Sequence, residues 1–286
     1  MKKIYDFFND YVFGKELGVL PGSLAYSFFL AIIPILSLLF YLLSSFNLPL
    51  DMVQNFLSDT FPEGVVNLLQ PIFTDTITMN SIITLVIAVM VATNGCNAII
   101  LASNTIYNIE NASIVRRTIK SLFLTIVMII LIAFVVVVPL FGKSILNILL
   151  KVFVGQEKFL TTLFLILRVP VSLVVIFTII KLLYVVAPDQ RISSKYVNRG
   201  AAFTAICWLI VTYIYSFYIN NIARYDLVYG NLTNIVILLL WFYILAYVFV
   251  IGLYLNRHKT DTEIEKTNTY KLEEIRKKVQ EEKHKK

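Results

Sequence analysis

Residues 227–256 read LVYGNLTNIVILLLWFYILAYVFVIGLYLN, thirty positions without one charged side chain. A bilayer hydrocarbon core of about 30 Å takes about 20 apolar residues of helix. Only helices and closed barrels satisfy every backbone group in lipid. The run lacks the polar/apolar alternation of a barrel strand, so it predicts a membrane-spanning helix. Moving outward, residues 17–50, 76–109, 121–142 and 200–223 are also free of charge, and residues 159–186 hold only Arg168 and Lys181. The chain therefore reads as all-α, a polytopic membrane bundle of six transmembrane helices. The spans are expected at about residues 23–46, 82–103, 122–141, 159–186, 201–222 and 232–255.

Composition agrees. Mean hydropathy is +0.78 and 58% of residues are hydrophobic, against about 45–50% in a soluble domain. One membrane domain is expected over residues 21–256, since no polar region is long enough to build a core of its own. Residues 1–20 read as an interfacial amphipathic helix: Ile4, Phe7, Phe8, Tyr11 and Val12 can share a face. Pro21-Gly22 is expected to break it from span one. The start is not read as a cleavable signal peptide, because Asp6, Asp10, Lys15 and Glu16 interrupt any apolar core. The acidic segment 47–81 reads as two short amphipathic helices parted at Pro62-Glu63-Gly64. Residues 257–286 form a charged tail with ten Lys/Arg and seven Asp/Glu. It is either a solubilising end or a segment drawn to an anionic leaflet.

The basic residues set the orientation. The N-terminal arm, the loops after spans two and four, and the tail hold 19 Lys/Arg, whereas the alternate loops hold four, namely Lys143, Lys151, Lys158 and Arg224. The positive-inside rule then puts both termini in the cytoplasm.

Chemistry-bearing constellations are scarce. Cys96 and Cys207 fall inside spans, which supports neither a disulfide framework nor a zinc site. His258 and His284 both lie in the tail. No Gly-rich phosphate loop, HExxH, CxxC or GxSxG occurs. No catalytic residue, metal or cofactor is expected. Arg168 stands out near mid-depth, where a charge is costly unless it faces the bundle interior or water. The expected membrane cores contain no Asp or Glu. Arg168 is therefore either held structurally by neutral groups or holds an anion from outside the protein, to which guanidinium is suited. Asn94, Asn97, Asn104, Asn108 and Asn111 recur at helical spacing, with Tyr107 and Ser103 close by. This stripe is either helix–helix glue or the lining of a wet path. Prolines 34, 139 and 170 interrupt three spans, as in some transporters. Tyr225, Asp226, Tyr229 and Gly230 make a compact outer turn before span six, read by default as an aromatic anchor.

Several of these pieces together resemble the YihY/BrkB family of bacterial inner-membrane proteins. They are Leu24-Ala25-Tyr26 running to Ile33-Pro34, Arg168-Val169-Pro170, Tyr184 with Ala187-Pro188-Asp189, and RGAAFTAICWLIVTYIYSFYINNIARYDLVYGNL followed by LLLWFYILAYVFVIGLYLN. The resemblance covers residues 20–256 and leaves out the tail. Two departures stand out: Thr233 where the family has a second Gly, and Tyr254 where it has Glu. The family implies a six-span bundle in the plasma membrane. Some members carry a ribonuclease label, against which this chain's lack of a His, Cys or carboxylate constellation argues. Envelope lipid or glycolipid transport, suggested for relatives, implies membrane lipids as partners and no nucleic acid. The expectation is a transporter or flippase of an anionic lipid or amphiphile. Arg168, Asn94, Asn97, Asn104 and Tyr26 would line its path, and Tyr225, Tyr229 and Gly230 would form the outer turn. The alternative is a non-transporting scaffold for envelope machinery. The oligomeric state is not legible.

Overall fold

In the computed structural model every regular element among the described residues is helical. The described residues are 15–45, 58, 82–132, 157–222 and 224–257, and no strand occurs among them. In chain order the helices are α1 (Lys15–Ser45), α2 (Ile82–Ile106), α3 (residues 114–132), α4 (Glu157–Val186), α5 (Asn198–Asn221) and α6 (Thr233–Arg257). A single helical turn, Asp226–Tyr229, and a 3₁₀ turn, Gly230–Leu232, join α5 to α6.

Four stretches are long and apolar enough to cross a membrane: Gly18–Leu39, Val86–Ile106, Asn198–Ile219 and Thr233–Arg257, with Pro170–Val186 a shorter apolar piece. The third expected span is described only to residue 132, so its outer half and Pro139 lie outside the described residues. So do residues 1–14, the two amphipathic helices expected within residues 47–81, and the tail beyond residue 257.

The expected break at Pro21-Gly22 does not occur, because α1 runs unbroken from Lys15 through both Pro21 and Pro34. Proline removes one backbone donor, and its ring crowds the carbonyl four residues back. Ending the helix there would strand several groups at the membrane boundary, so continuing it costs less.

Small residues set the closest approaches. A methyl built on Gly95 of α2 would stand 3.0 Å from the Ala31 Cβ of α1. In lipid, where apolar contact is not itself a driving force, such small residues let helices touch closely. Two glycines do the same for α5 and α6. A methyl on Gly200 would run into the Gly252 carbonyl and the Asn256 side chain, and one on Gly252 into the Thr204 and Tyr184 hydroxyls. The Gly200 N–H donates to Asn256 Oδ1 at 2.8 Å. Tyr184, fully buried, ties three helices together. Its hydroxyl donates to the Phe249 carbonyl of α6 at 2.8 Å and shares a 2.8 Å hydrogen bond with Thr204 of α5.

The outward face has the opposite character. On α5, Ile206, Ile210, Tyr213, Ile214 and Phe217 are exposed along one stripe. A stripe of this kind suits acyl chains as solvent and is a liability in water. Helices of spanning length with apolar outer faces make this a membrane protein.

Candidate functional site

Helical periodicity places polar groups opposite one another where α1 meets α2. Ser23, Tyr26, Ser27 and Leu30 follow one face of α1, and Asn94, Asn97 and Leu101 one face of α2. Together with Leu20 they border an open groove of about 210 Å³. Asn94 lies eight residues from Val86, about 12 Å into the span at 1.5 Å per residue. Asn94 and Tyr26 are exposed, Tyr26 at 60%, while Asn97 and Ser27 are half-buried. An amide facing hydrocarbon without a partner is costly, so this surface calls for water or a polar ligand. Its lining carries amides, hydroxyls and leucines but no charge. Such groups can hold hydroxyls or ester oxygens.

The sequence expectation put Asn104 on the same path, and the structure corrects this. Asn104 is fully buried at the end of α2 and its amide is spent on protein partners. Its Nδ2 donates to Asp189 Oδ2 at 2.7 Å and to Asn111 Oδ1 at 2.9 Å, and its Oδ1 accepts the Asp189 N–H at 2.9 Å. The helix ends just beyond, where Asn108 takes φ of +51° and the Ile109 N–H closes on the Asn104 carbonyl at 2.8 Å, a left-handed cap of the kind Asn tolerates. Asn108 and Asn111 therefore do not extend the face of Asn94 and Asn97.

Asp189 is the hub here. It also accepts from the Ala112 N–H at 3.0 Å and pairs with Lys120 at 3.0 Å, while the Lys120 ammonium donates to the Ala187 and Pro188 carbonyls at 2.8 and 2.6 Å. Burial alone would raise the Asp189 carboxyl. The hydrogen bonds from Ala112, Lys120 and Asn104 and the charge of Lys120 outweigh it and hold the carboxyl below its ordinary value. This clasp joins the α2–α3 linker to the end of α4. Its signal in the sequence is the Ala187-Pro188-Asp189 run, but nothing there names Asn104, Ala112 or Lys120 as its partners.

Arg168 sits on α4, and its side chain lies outside the described residues, as does that of Asp226. The aromatic turn between α5 and α6, expected on the outer side, shares no residue with the groove. The Tyr225 ring meets Tyr218 edge-on and lies tilted against Tyr229, with ring centroids 6.5 and 6.0 Å apart. Gly230 follows at φ +51°, a conformation other L-residues rarely adopt.

Comparison with known proteins finds relatives named as membrane proteins. The chain is 31% identical over 236 residues to the "Putative ribonuclease-like protein YfkH" of Bacillus subtilis, which covers 81% of this chain and 86% of that one. It is 30% identical over 93 residues to a UPF0761 membrane protein of Pseudoalteromonas translucida, about a third of each chain (32% and 31%). A UPF0761 membrane protein of Chromobacterium violaceum is 32% identical over 96 residues, 34% of this chain and 23% of that one. No solved structure matches. The model of the family described as "Virulence factor BrkB" matches residues 14–273, and the chain belongs to that family.

Proposed function

We propose that the protein moves an amphiphile, an anionic phospholipid or glycolipid, across the plasma membrane through the groove between α1 and α2. In this reading the bundle has six spans and both termini are cytoplasmic. One observation carries the proposal: Tyr26, Asn94 and Asn97 form a polar lining at mid-span that is open to the bundle surface. Stability alone gives no reason for exposed amides at that depth, where an apolar side chain would cost less. A headgroup sliding past would exchange hydrogen bonds with them while its acyl chains stay in lipid. Arg168 on α4 would take the anionic group. Asn104, committed to Asp189, plays no part in the path. The reading is of a carrier and not of a nuclease, because the histidines of the chain, His258 and His284, both lie in its tail.

The test is proteoliposome flipping of a headgroup-labelled phosphatidylglycerol, read by dithionite quenching. The full chain should speed equilibration between leaflets over empty liposomes. Asn94→Leu/Asn97→Leu should abolish the gain while leaving the melting temperature in detergent unchanged or raised. Equal flipping by wild type and empty liposomes, or full activity of the double variant, would sink the proposal.

A further inference from the structure

The linkers from α2 to α3 and from α4 to α5 meet at one end of the bundle, because the Ala112 N–H and the Lys120 ammonium both reach Asp189. Lys120 is thereby neutralised. The other basic residues at this end, Arg116 and Arg117 on the first turn of α3, Arg191 and Lys195 on the α4–α5 linker and Arg199 at the start of α5, make no ion pair among the described residues. Arg116, Arg191, Lys195 and Arg199 are exposed and Arg117 is half-buried, and Glu110 and Asp189 are the acids of these segments among the described residues.

Below the arginine pair lies a stripe of a different kind. Val115, Ile119, Phe123, Ile126 and Ile130 are all exposed on α3, from 69% at Val115 to 45% at Ile126. Their spacing of three to four residues keeps them on one face. From Ile119 to Ile130, near the end of the described part of α3, the stripe is about 16 Å long. Ile114, 74% exposed, sits beside the arginines at its head.

From this juxtaposition we propose that this end of the bundle binds anionic phospholipid. The phosphodiester is held by Arg116 and Arg117, an acyl chain lies along the α3 stripe, and Arg191, Lys195 and Arg199 collect further headgroups on the α4–α5 linker and the first turn of α5. Guanidinium is suited to phosphate by its paired donors. The positive-inside rule accounts for basic residues at such an end; the exposed apolar stripe that begins at them adds a surface for an acyl chain. A nucleic acid would use the arginines and have no use for Ile114, Val115 and Ile119. The surface is separate from the α1–α2 groove and stands whether or not that groove conducts.

The experiment uses the full chain in a neutral maltoside micelle, where membrane orientation plays no part. Dioleoyl-phosphatidylglycerol and dioleoyl-phosphatidylcholine are titrated in parallel, and bound lipids are counted by native mass spectrometry. Phosphatidylglycerol should bind at least tenfold more tightly, and the preference should shrink as ammonium acetate rises from about 50 to 300 mM. Each basic side chain near an anionic surface is worth about fivefold. Arg116→Gln/Arg117→Gln should therefore lose roughly 25-fold, whereas Arg116→Lys/Arg117→Lys should keep most of the affinity. Should the glutamine pair fail to fold, Arg191→Gln/Arg199→Gln tests the neighbouring basic residues and should also weaken phosphatidylglycerol binding severalfold. Equal binding of the two lipids, or glutamine variants that bind like wild type, overturns the proposal. So does arginine-dependent binding of a single-stranded RNA oligonucleotide without a phosphatidylglycerol preference.

Discussion

Replacing Asp189 with alanine should unlock the end of the bundle that holds α2, α3 and α4 together. The carboxylate accepts from Asn104, from the Ala112 N–H and from Lys120, at 2.7 to 3.0 Å, and its side chain is 7% exposed. A hydrogen bond to a charged group is worth about 1.5–3 kcal/mol, but the three donors are not equally stranded by the change. Lys120 keeps two carbonyls and is 23% exposed, and Asn104 keeps Asn111. The Ala112 N–H loses the partner it has among the described residues. The loss should therefore be about 3 kcal/mol, at the low end of the 3–5 kcal/mol seen when one member of a buried pair is removed. At about 2–4 °C per kcal/mol for a chain of this size, the apparent melting temperature in detergent should fall by roughly 6–12 °C. Asp189→Asn restores an acceptor for Ala112 and Asn104 but turns an amide toward Lys120, so about half the loss should remain. A cycle with Asn104→Ala should show coupling of at least about 1 kcal/mol. Additivity in that cycle, or an Asp189→Ala variant within about 2 °C of wild type, would refute the clasp as a structural joint.

The same carboxylate gives a pH dependence whose sign is fixed. Its folded pKa lies below the unfolded value, so its contribution is full above about pH 4 and is lost as pH falls through the folded pKa. Melting scans between pH 7 and pH 3 should show an acid limb that is shallower in Asp189→Asn, and an unchanged limb would count against this assignment. Gly252→Ala should cost about 3 kcal/mol, the upper end for overpacking, because its methyl meets the hydrogen-bonded hydroxyls of Thr204 and Tyr184. Gly22→Ala, with open space around it, should be neutral or slightly stabilising in the same melting assay, and equal losses at the two sites would show the α5–α6 contact to be loose.

The charge-free runs made the helices legible, because lipid leaves a chain of that composition few other ways to satisfy its backbone. Connections were harder. Pro21 marks a break in water more dependably than at a membrane boundary, where the helix carries on. Asparagines at 94, 97, 104, 108 and 111 fit one helical face on paper, but that period holds only as far as the helix does, and α2 stops at Ile106. What separates Asn94 from Asn104 is then what each can reach. Asn104 lies at the end of its helix, where a linker can bring Asp189 from 85 residues away. Asn94 lies at mid-span, where a carboxylate partner would itself be too costly to bury. Identical side chains thus serve as a joint at one depth and as an open lining at another. The lining is built from neutral groups, so in the carrier proposed above selection among headgroups along it would rest on hydrogen bonding. Discrimination by charge would fall to residues outside it, with Arg168 the one proposed for it.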